Sequence, residues 1–205
     1  HLAEFLPGPV VKKRPILAGD QLTTVNQEWW YHWHQPANSI GKVQQWHGNS
    51  GAVIRCWAYY RRYGRSLKTM SEHAVLNANY LRHRIIEEAE KAGVRHLFAD
   101  GAPVDVVKHE FTISMAPMKE QCGIGAMDIA KGLLDKGYMA PTVYFPLIVP
   151  ECMMVEPTET ESKETLDKFA KKFVEVLQED PDVLHNAPVT TNVRRVDEVY
   201  AARNL

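Results

Sequence analysis

The clearest periodicity in the chain runs from Ser71 to Ala92, where Ala74, Ala78, Leu81, Ile85 and Ala89 recur at three- and four-residue steps. That spacing puts them on one helical face and leaves Glu87, Glu88, Glu90 and Lys91 on the wet side. Ser71 is suited to cap the start and Gly93 to end it. A second stripe, Leu166, Phe169, Phe173 and Val176/Leu177, predicts a helix from near Ser162 to the Asp180-Pro181 break. A third helix is expected from about Ile124 to Lys136, stopped by Gly137. Residues 51–63, which include AVIRCWAYYRRY with Arg55, Arg61 and Arg62 on one side, read as a buried helix ended by Gly64.

Elsewhere the period is two. In VKHEFTISM, Val107, His109, Phe111, Ile113 and Met115 alternate with Lys108, Glu110, Thr112 and Ser114, which predicts a strand with His109 on its apolar face. TVYFPLIV (142–149) and CMMV (152–155) read as two more strands, and Pro146 confines the first to an edge or a bulge. Residues 1–45, with prolines at 7, 9, 15 and 36 and short alternating stretches such as Leu22 to Val25, read as extended segments and turns with one short hairpin. The tail from Asn186 onward reads as irregular. Helices alternating with a few strands predict an α/β fold, with helices packed on one face of a short sheet.

Composition changes this picture little. The chain has 205 residues, 45% hydrophobic and 24% charged, with formal net charge -1. Near-neutral charge gives no footprint for nucleic acid or an anionic membrane. No apolar run is long enough to span a bilayer, and no signal peptide pattern is present. Cys56, Cys122 and Cys152 are scattered and odd in number, which suits a reduced, cytoplasmic compartment. The opening at His1 reads like the interior of a longer polypeptide.

Chemistry is harder to place. His32 and His34 would share a strand face, and His47 could add a third nitrogen for zinc. No fixed zinc spacing is present, however, and the aromatic run EWWYHWHQP favours packing. SIGK (39–42) and HGNSG (47–51) precede a helix and could cradle an anion, or be plain loops. His109 could be a satisfied core histidine or a catalytic one. The run Glu156 to Glu161 reads as helix punctuation: Thr158 and Glu161 have capping-box spacing, which leaves Glu151 and Glu156 unexplained. Serine-hydrolase, Walker, dinucleotide and His-Glu-x-x-His motifs are all missing.

Longer segments say more. HLAEFLP, SIGKV, HGNSG, SEHAVLNANYL, HEF, DIAKGLLDKGY, APTVYFPLIVPE and MMVEPTETESKETLDKF, in this order, resemble glycine decarboxylase. This is the pyridoxal-phosphate subunit of the glycine cleavage system, and the likeness is to its second subunit in the split form. The resemblance implies an aspartate-aminotransferase-like (fold type I) enzyme, of which this chain is the C-terminal part. Residues 1–65 would end the large domain and supply a connecting helix, and 66–205 would be the small α/β domain and tail. The Schiff-base lysine of the family lies in a His-Lys motif before a glycine run, upstream of HLAEFLP, and none of the thirteen lysines here has that setting.

In the intact enzyme the resemblance implies decarboxylation of glycine and transfer of its aminomethyl carbon to a lipoyl carrier protein, together with another glycine decarboxylase subunit. It points to His109 as a catalytic residue, to Ser39, Gly41 and Lys42 as cofactor-binding, and to Glu156-Pro157-Thr158 as a rigid corner. Relatives carry an arginine just ahead of His-Glu, where this chain has Asp105 and Lys108, and EWWYHWHQP also departs from the family pattern. The alternatives are a non-catalytic scaffold of the same fold or a paralogue with another substrate. Apolar surface left uncovered would drive self-association.

Overall fold

Helix α2 (Leu67–Lys91) presents Ala78, Leu81, Ile85 and Ala89 to the interior, the face its period demands. In the computed structural model, which describes residues 2–15, 29–45, 48–101 and 104–204, this helix packs against α5 (Lys163–Leu177). α2 starts one turn earlier than the sequence suggests, so Ser71 lies inside it and its hydroxyl donates to the Leu67 carbonyl. Gly93, at φ +73°, ends it as predicted, because a left-handed residue lets Val94 N–H donate back to Ala89 O at 2.9 Å.

The described residues form two compact units, His1–Gly64 and Arg65–Leu205. In the first, β1 (Val10–Pro15) and β2 (Trp29–His34) pair antiparallel, from Val10 opposite His34 to Pro15 opposite Trp29. Along β2, Trp29, Tyr31 and Trp33 are exposed, whereas Trp30, His32 and His34 share the more sheltered face. The expected stretch Leu22 to Val25 and the histidine at 47 lie outside the described residues. Helix α1 (Ser50–Tyr63) is capped by Asn49, whose Oδ1 accepts from Ala52 N–H, and ends at Gly64. Its predicted burial is not found: every residue from Ser50 to Arg62 is exposed. The apolar period identifies a helix with a face and does not say what covers it.

The second unit is built on a four-stranded antiparallel sheet of order β3 (Ala99–Asp100), β4 (Phe111–Ser114), β6 (Cys152–Val155), β5 (Thr142–Val143). Phe111 pairs with Val155 and Ile113 with Met153, so these four share one face. That face enters a single core with α2, α5 and α4 (Ala126–Asp135). Phe173, fully buried, meets Phe98 edge-on at 6.1 Å between ring centroids. Its burial alone contributes roughly 2–3 kcal/mol. Thr112 and Met154, on the opposite face, are half-buried.

Several boundaries move. The strand predicted through 107–115 is only Phe111–Ser114, and His109 stands before it, exposed. The cause lies in the partner strand: Val155, opposite Phe111, is followed by Glu156 and by Pro157, which has no N–H to continue a ladder. TVYFPLIV yields only the two-residue β5. An unforeseen short helix, α3 (Ala116–Cys122), precedes α4. The tail is less irregular than its composition suggests, with α6 (Pro181–Asn186) and α7 (Glu198–Arg203). Pro181 sits in the first turn of α6, where its missing N–H has no partner to lose, so Asp180-Pro181 starts a helix as well as ending one.

Candidate functional site

Two asparagines on α2 build the region around His109. Asn79 Nδ2 donates to Val107 O at 2.8 Å, and its Oδ1 accepts from Val107 N–H at 2.9 Å. This pair of bonds fixes the segment that carries Lys108 and His109. Asn77 Nδ2 donates to Thr158 O at 2.8 Å and to Glu161 O at 3.2 Å, tying down the acidic corner. Neither residue was singled out from the sequence. The available signal was Asn-Ala-Asn inside a strong helix, where asparagine weakens the helix unless its amide has work elsewhere.

Held in this way, the two segments bring His109 Nε2 within 3.6 Å of Glu156 Oε1 and 3.8 Å of Glu110 Oε2. All three side chains reach solvent. Beside them lies a cavity of about 410 Å³ lined by Met70, Ser71, Ala74, Val75, Lys108 and His109. On its other side the Glu156-Pro157-Thr158 corner borders a second, apolar cavity of about 330 Å³. The corner is therefore a ridge between two hollows.

The expected capping box at Thr158 and Glu161 does not form. Ser162 caps α5 instead, its Oγ accepting from Thr165 N–H, and Glu161 N–H closes a turn onto Thr158 O. Glu151 finds its explanation at another helix. Its Oε2 accepts from Ala126 N–H at 2.9 Å, at the positive end of α4, and its Oε1 pairs with Lys119. Gly125 makes room for it, since a Cβ there would lie 2.5 Å from Glu151 Oε2.

The turn at 39–42 is closed on itself. Ser39 Oγ donates to Leu6 O at 2.6 Å and accepts from Gly41 N–H at 3.1 Å, and Gly41 O accepts from Gly8 N–H. Gly41, at φ +94°, has the left-handed backbone the turn requires, and Lys42 is exposed. The Ser39 hydroxyl and the Gly41 N–H are thus engaged within the turn, and Lys42 is left to solvent. The lysines do not suit a Schiff base either, which needs an amine kept neutral by burial or like charge. Lys91, Lys119, Lys136, Lys163 and Lys168 are all held above the usual lysine value by paired carboxylates. Lys42 and Lys108 stand in solvent. By themselves these residues do not make a pyridoxal phosphate site.

Other chemistry is equally unsupported. His32 and His34 share a face as predicted, but no group of three metal-ligating side chains occurs among the described residues. Burial raises the Cys152 thiol above its usual value, which disfavours the thiolate a nucleophile needs. No helix among the described residues is long and apolar enough to cross a membrane.

Fold and site together define a layered α/β domain, with helices on one face of an antiparallel sheet and a polar corner beyond the ends of β4 and β6. Residues 70–196 match the family model described as glycine dehydrogenase, C-terminal domain. The chain belongs to that family. It is 43% identical to the probable glycine dehydrogenase (decarboxylating) subunit 2 of Alkaliphilus oremlandii, over 100% of this chain and 38% of that protein. The protein of the same description from Desulforamulus reducens is 47% identical over 99% of this chain and 38% of its own length. The chain thus spans somewhat over a third of the curated relatives it matches. The crystal structure of a glycine decarboxylase (P-protein) of the glycine cleavage system, in inhibitor-bound form, superimposes with a TM-score of 0.55 at 14% identity, over 84% of this chain and 36% of that one. That likeness confirms the fold of its corresponding part.

Proposed function

We propose that this chain is the C-terminal α/β part of a pyridoxal-phosphate-dependent glycine dehydrogenase (decarboxylating), acting in the cytoplasm on glycine. It would work with the other glycine dehydrogenase subunit and a lipoyl carrier protein, to which the aminomethyl carbon passes. The observation that carries this reading is the similarity of the whole chain to relatives described as subunit 2. The closed turn at 39–42 and the charged, paired or exposed lysines support one further point: the Schiff-base lysine is none of the thirteen present.

Within that enzyme, the residues offered by this part are Lys108 and His109. They sit at the mouth of the 410 Å³ cavity, on a segment fixed by Asn79. Their donors suit a substrate carboxylate, and the Glu156 carboxylate lies 3.6 Å from the imidazole. Lys108, in place of the arginine that the family resemblance implies ahead of His-Glu, favours a second reading, a paralogue for a different amino acid, because lysine lacks the two-pronged carboxylate geometry of arginine.

The test combines two measurements. The chain is incubated with pyridoxal phosphate, reduced with borohydride and mapped by peptide mass. Carboxyl-labelled glycine is then given to the full subunit assembled with its partner, cofactor and oxidised lipoyl carrier, and released CO₂ is counted. The proposal expects no stoichiometric label on this chain and CO₂ release only from the assembly. Stoichiometric label on Lys42 or Lys108 would overturn it, and release from another amino acid but not glycine would establish the second reading.

A further inference from the structure

The segment that carries Lys108 and His109 is a short bridge clamped at both ends. At one end Val107 is buried in the core, and at the other Phe111 begins β4 opposite Val155. Only Lys108, His109 and Glu110 lie between the two clamps. Because β4 and β6 run antiparallel, the chain enters β4 beside the point where it leaves β6. The bridge and the Glu156-Pro157-Thr158 corner therefore leave the same end of the sheet, and both border the cavity of about 410 Å³.

Asn77-Ala78-Asn79 links helix α2 to these two segments. Ala78 is fully buried. Successive helical residues are turned by about 100°, so its two neighbours flank the buried stripe on opposite sides. Asn79 reaches the bridge and Asn77 reaches the corner. The Asn79 amide is saturated: Nδ2 donates to Val75 O and to Val107 O, each at 2.8 Å, and Oδ1 accepts from Val107 N–H at 2.9 Å. The bond to Val75 O ties the amide to its own helix, in the turn that supplies Ala74 and Val75 to the cavity. One side chain thereby fixes the cavity's floor against the wall that bears Lys108 and His109. Asn77 does the same for the opposite wall, through Thr158 O and Glu161 O. Every contact involved lies within the second unit.

We propose that Asn79 is a positioning residue for the substrate carboxylate, acting through Lys108 and His109, with Asn77 holding the facing wall. This role rests on the reading of Lys108 and His109 as the donors to that carboxylate. Two donors act together on one carboxylate only while their spacing is held, and a misplacement of about 1 Å can cost about 100-fold.

The test is CO₂ release by the full subunit assembled with its partner, cofactor and oxidised lipoyl carrier. It is measured across the concentration of glycine, or of whichever amino acid releases CO₂. Asn79→Asp keeps the shape and the acceptor but sets an anionic oxygen against two carbonyls. It should raise KM about tenfold while kcat stays within about threefold. A merely structural role would do the reverse, removing active enzyme and so lowering the apparent kcat at unchanged KM. Asn79→Ser keeps a hydroxyl for one of the bonds. It should fall between, and it serves where the aspartate variant does not fold. Asn77→Ala should raise KM about threefold. In a chain carrying Lys108→Met and His109→Gln, KM should already be raised, and adding Asn79→Ser should change it by less than about twofold, because the groups it acts through are gone. Full additivity would overturn the proposal, as would a fall in kcat alone or a wild-type KM in both Asn79 variants. In those cases the carboxylate reading of Lys108 and His109 would stand. A wild-type KM in the Lys108→Met, His109→Gln chain would instead remove that reading, and the positioning role with it.

Discussion

Asp128 Oδ1 and Arg195 Nη1 lie 2.8 Å apart, joining the first turn of α4 to the tail. Asp128 is one of two buried polar side chains among the described residues, and its Oδ2 also accepts from Gly125 N–H. Arg195 donates in addition to Leu184 O and Ala187 O, each at 2.8 Å. One guanidinium therefore holds α4, α6 and the residue that ends α6. At the other end of α4, Asp135 accepts from the N–H groups of Val189 and Thr190 and from the Thr190 hydroxyl. The tail is strapped across one helix by a carboxylate at each end.

Removing Arg195 leaves the Asp128 carboxylate sheltered without its main counter-charge. Arg195→Ala should cost about 2–4 kcal/mol in urea denaturation. Proteolysis should then begin within residues 187–204 before the core is cut. Arg195→Lys, able to keep the charge but not all three bonds, should fall between.

Asn79 satisfies both backbone groups of Val107 and anchors the His109 segment. Asn79→Ala should cost about 1–3 kcal/mol, since it leaves two part-buried backbone groups to find water. Amide hydrogen exchange should quicken across 104–110 while α2 keeps its protection. His109→Gln, by contrast, changes an exposed side chain and should shift stability by no more than about 0.5 kcal/mol. Any effect of that substitution on the assembled enzyme would then report on chemistry.

Gly132 faces Leu184 and Val176 so closely that an added Cβ would lie 2.9 Å from an atom of each. Both neighbours are buried and have nowhere to retreat. Gly132→Ala should therefore destabilise by about 1–3 kcal/mol through overpacking, despite the better helix propensity of alanine. A rise in the thermal midpoint would show that α6 can move away.

Acid should unfold the second unit through depressed carboxylates. Lys163, then the Tyr80 hydroxyl, and also Arg84 hold Asp167 far below the ordinary value, against the opposing pull of burial. Burial pushes Asp135 up, but the hydrogen bonds from Thr190 and Val189 outweigh it and leave its carboxyl lowered. A depressed folded-state pKa contributes stability that is complete above the unfolded value of 3.8 and is lost as pH falls from there through the folded value. The urea midpoint should hold from pH 7 to about 5 and drop below about 4. Asp135→Asn should lower it at pH 7 and flatten the acid limb, and an unchanged acid limb would exclude this carboxylate as a contributor.

The core is legible in the order of residues alone. The periods of α2 and α5, the alternation of Phe111, Ile113 and Met115, and the stops at Gly64, Gly93 and Gly137 all reappear, because burial period and backbone conformation are local properties. The same order also carried the family, in long stretches such as MMVEPTETESKETLDKF. The position of His109, by contrast, depends on the folded partner strand. Alternation placed it within a strand, but the strand begins where a partner exists, and the partner ends at Val155 before Glu156-Pro157. Only the structure showed that Glu151 serves α4, that Asn77 and Asn79 hold the corner, and that Ser39 and Gly41 close on each other. These bonds join residues far apart in the chain or depend on turn geometry, and no local pattern records them. The exposure of α1 follows the same logic: amphipathicity is written in the helix, and its cover is written elsewhere.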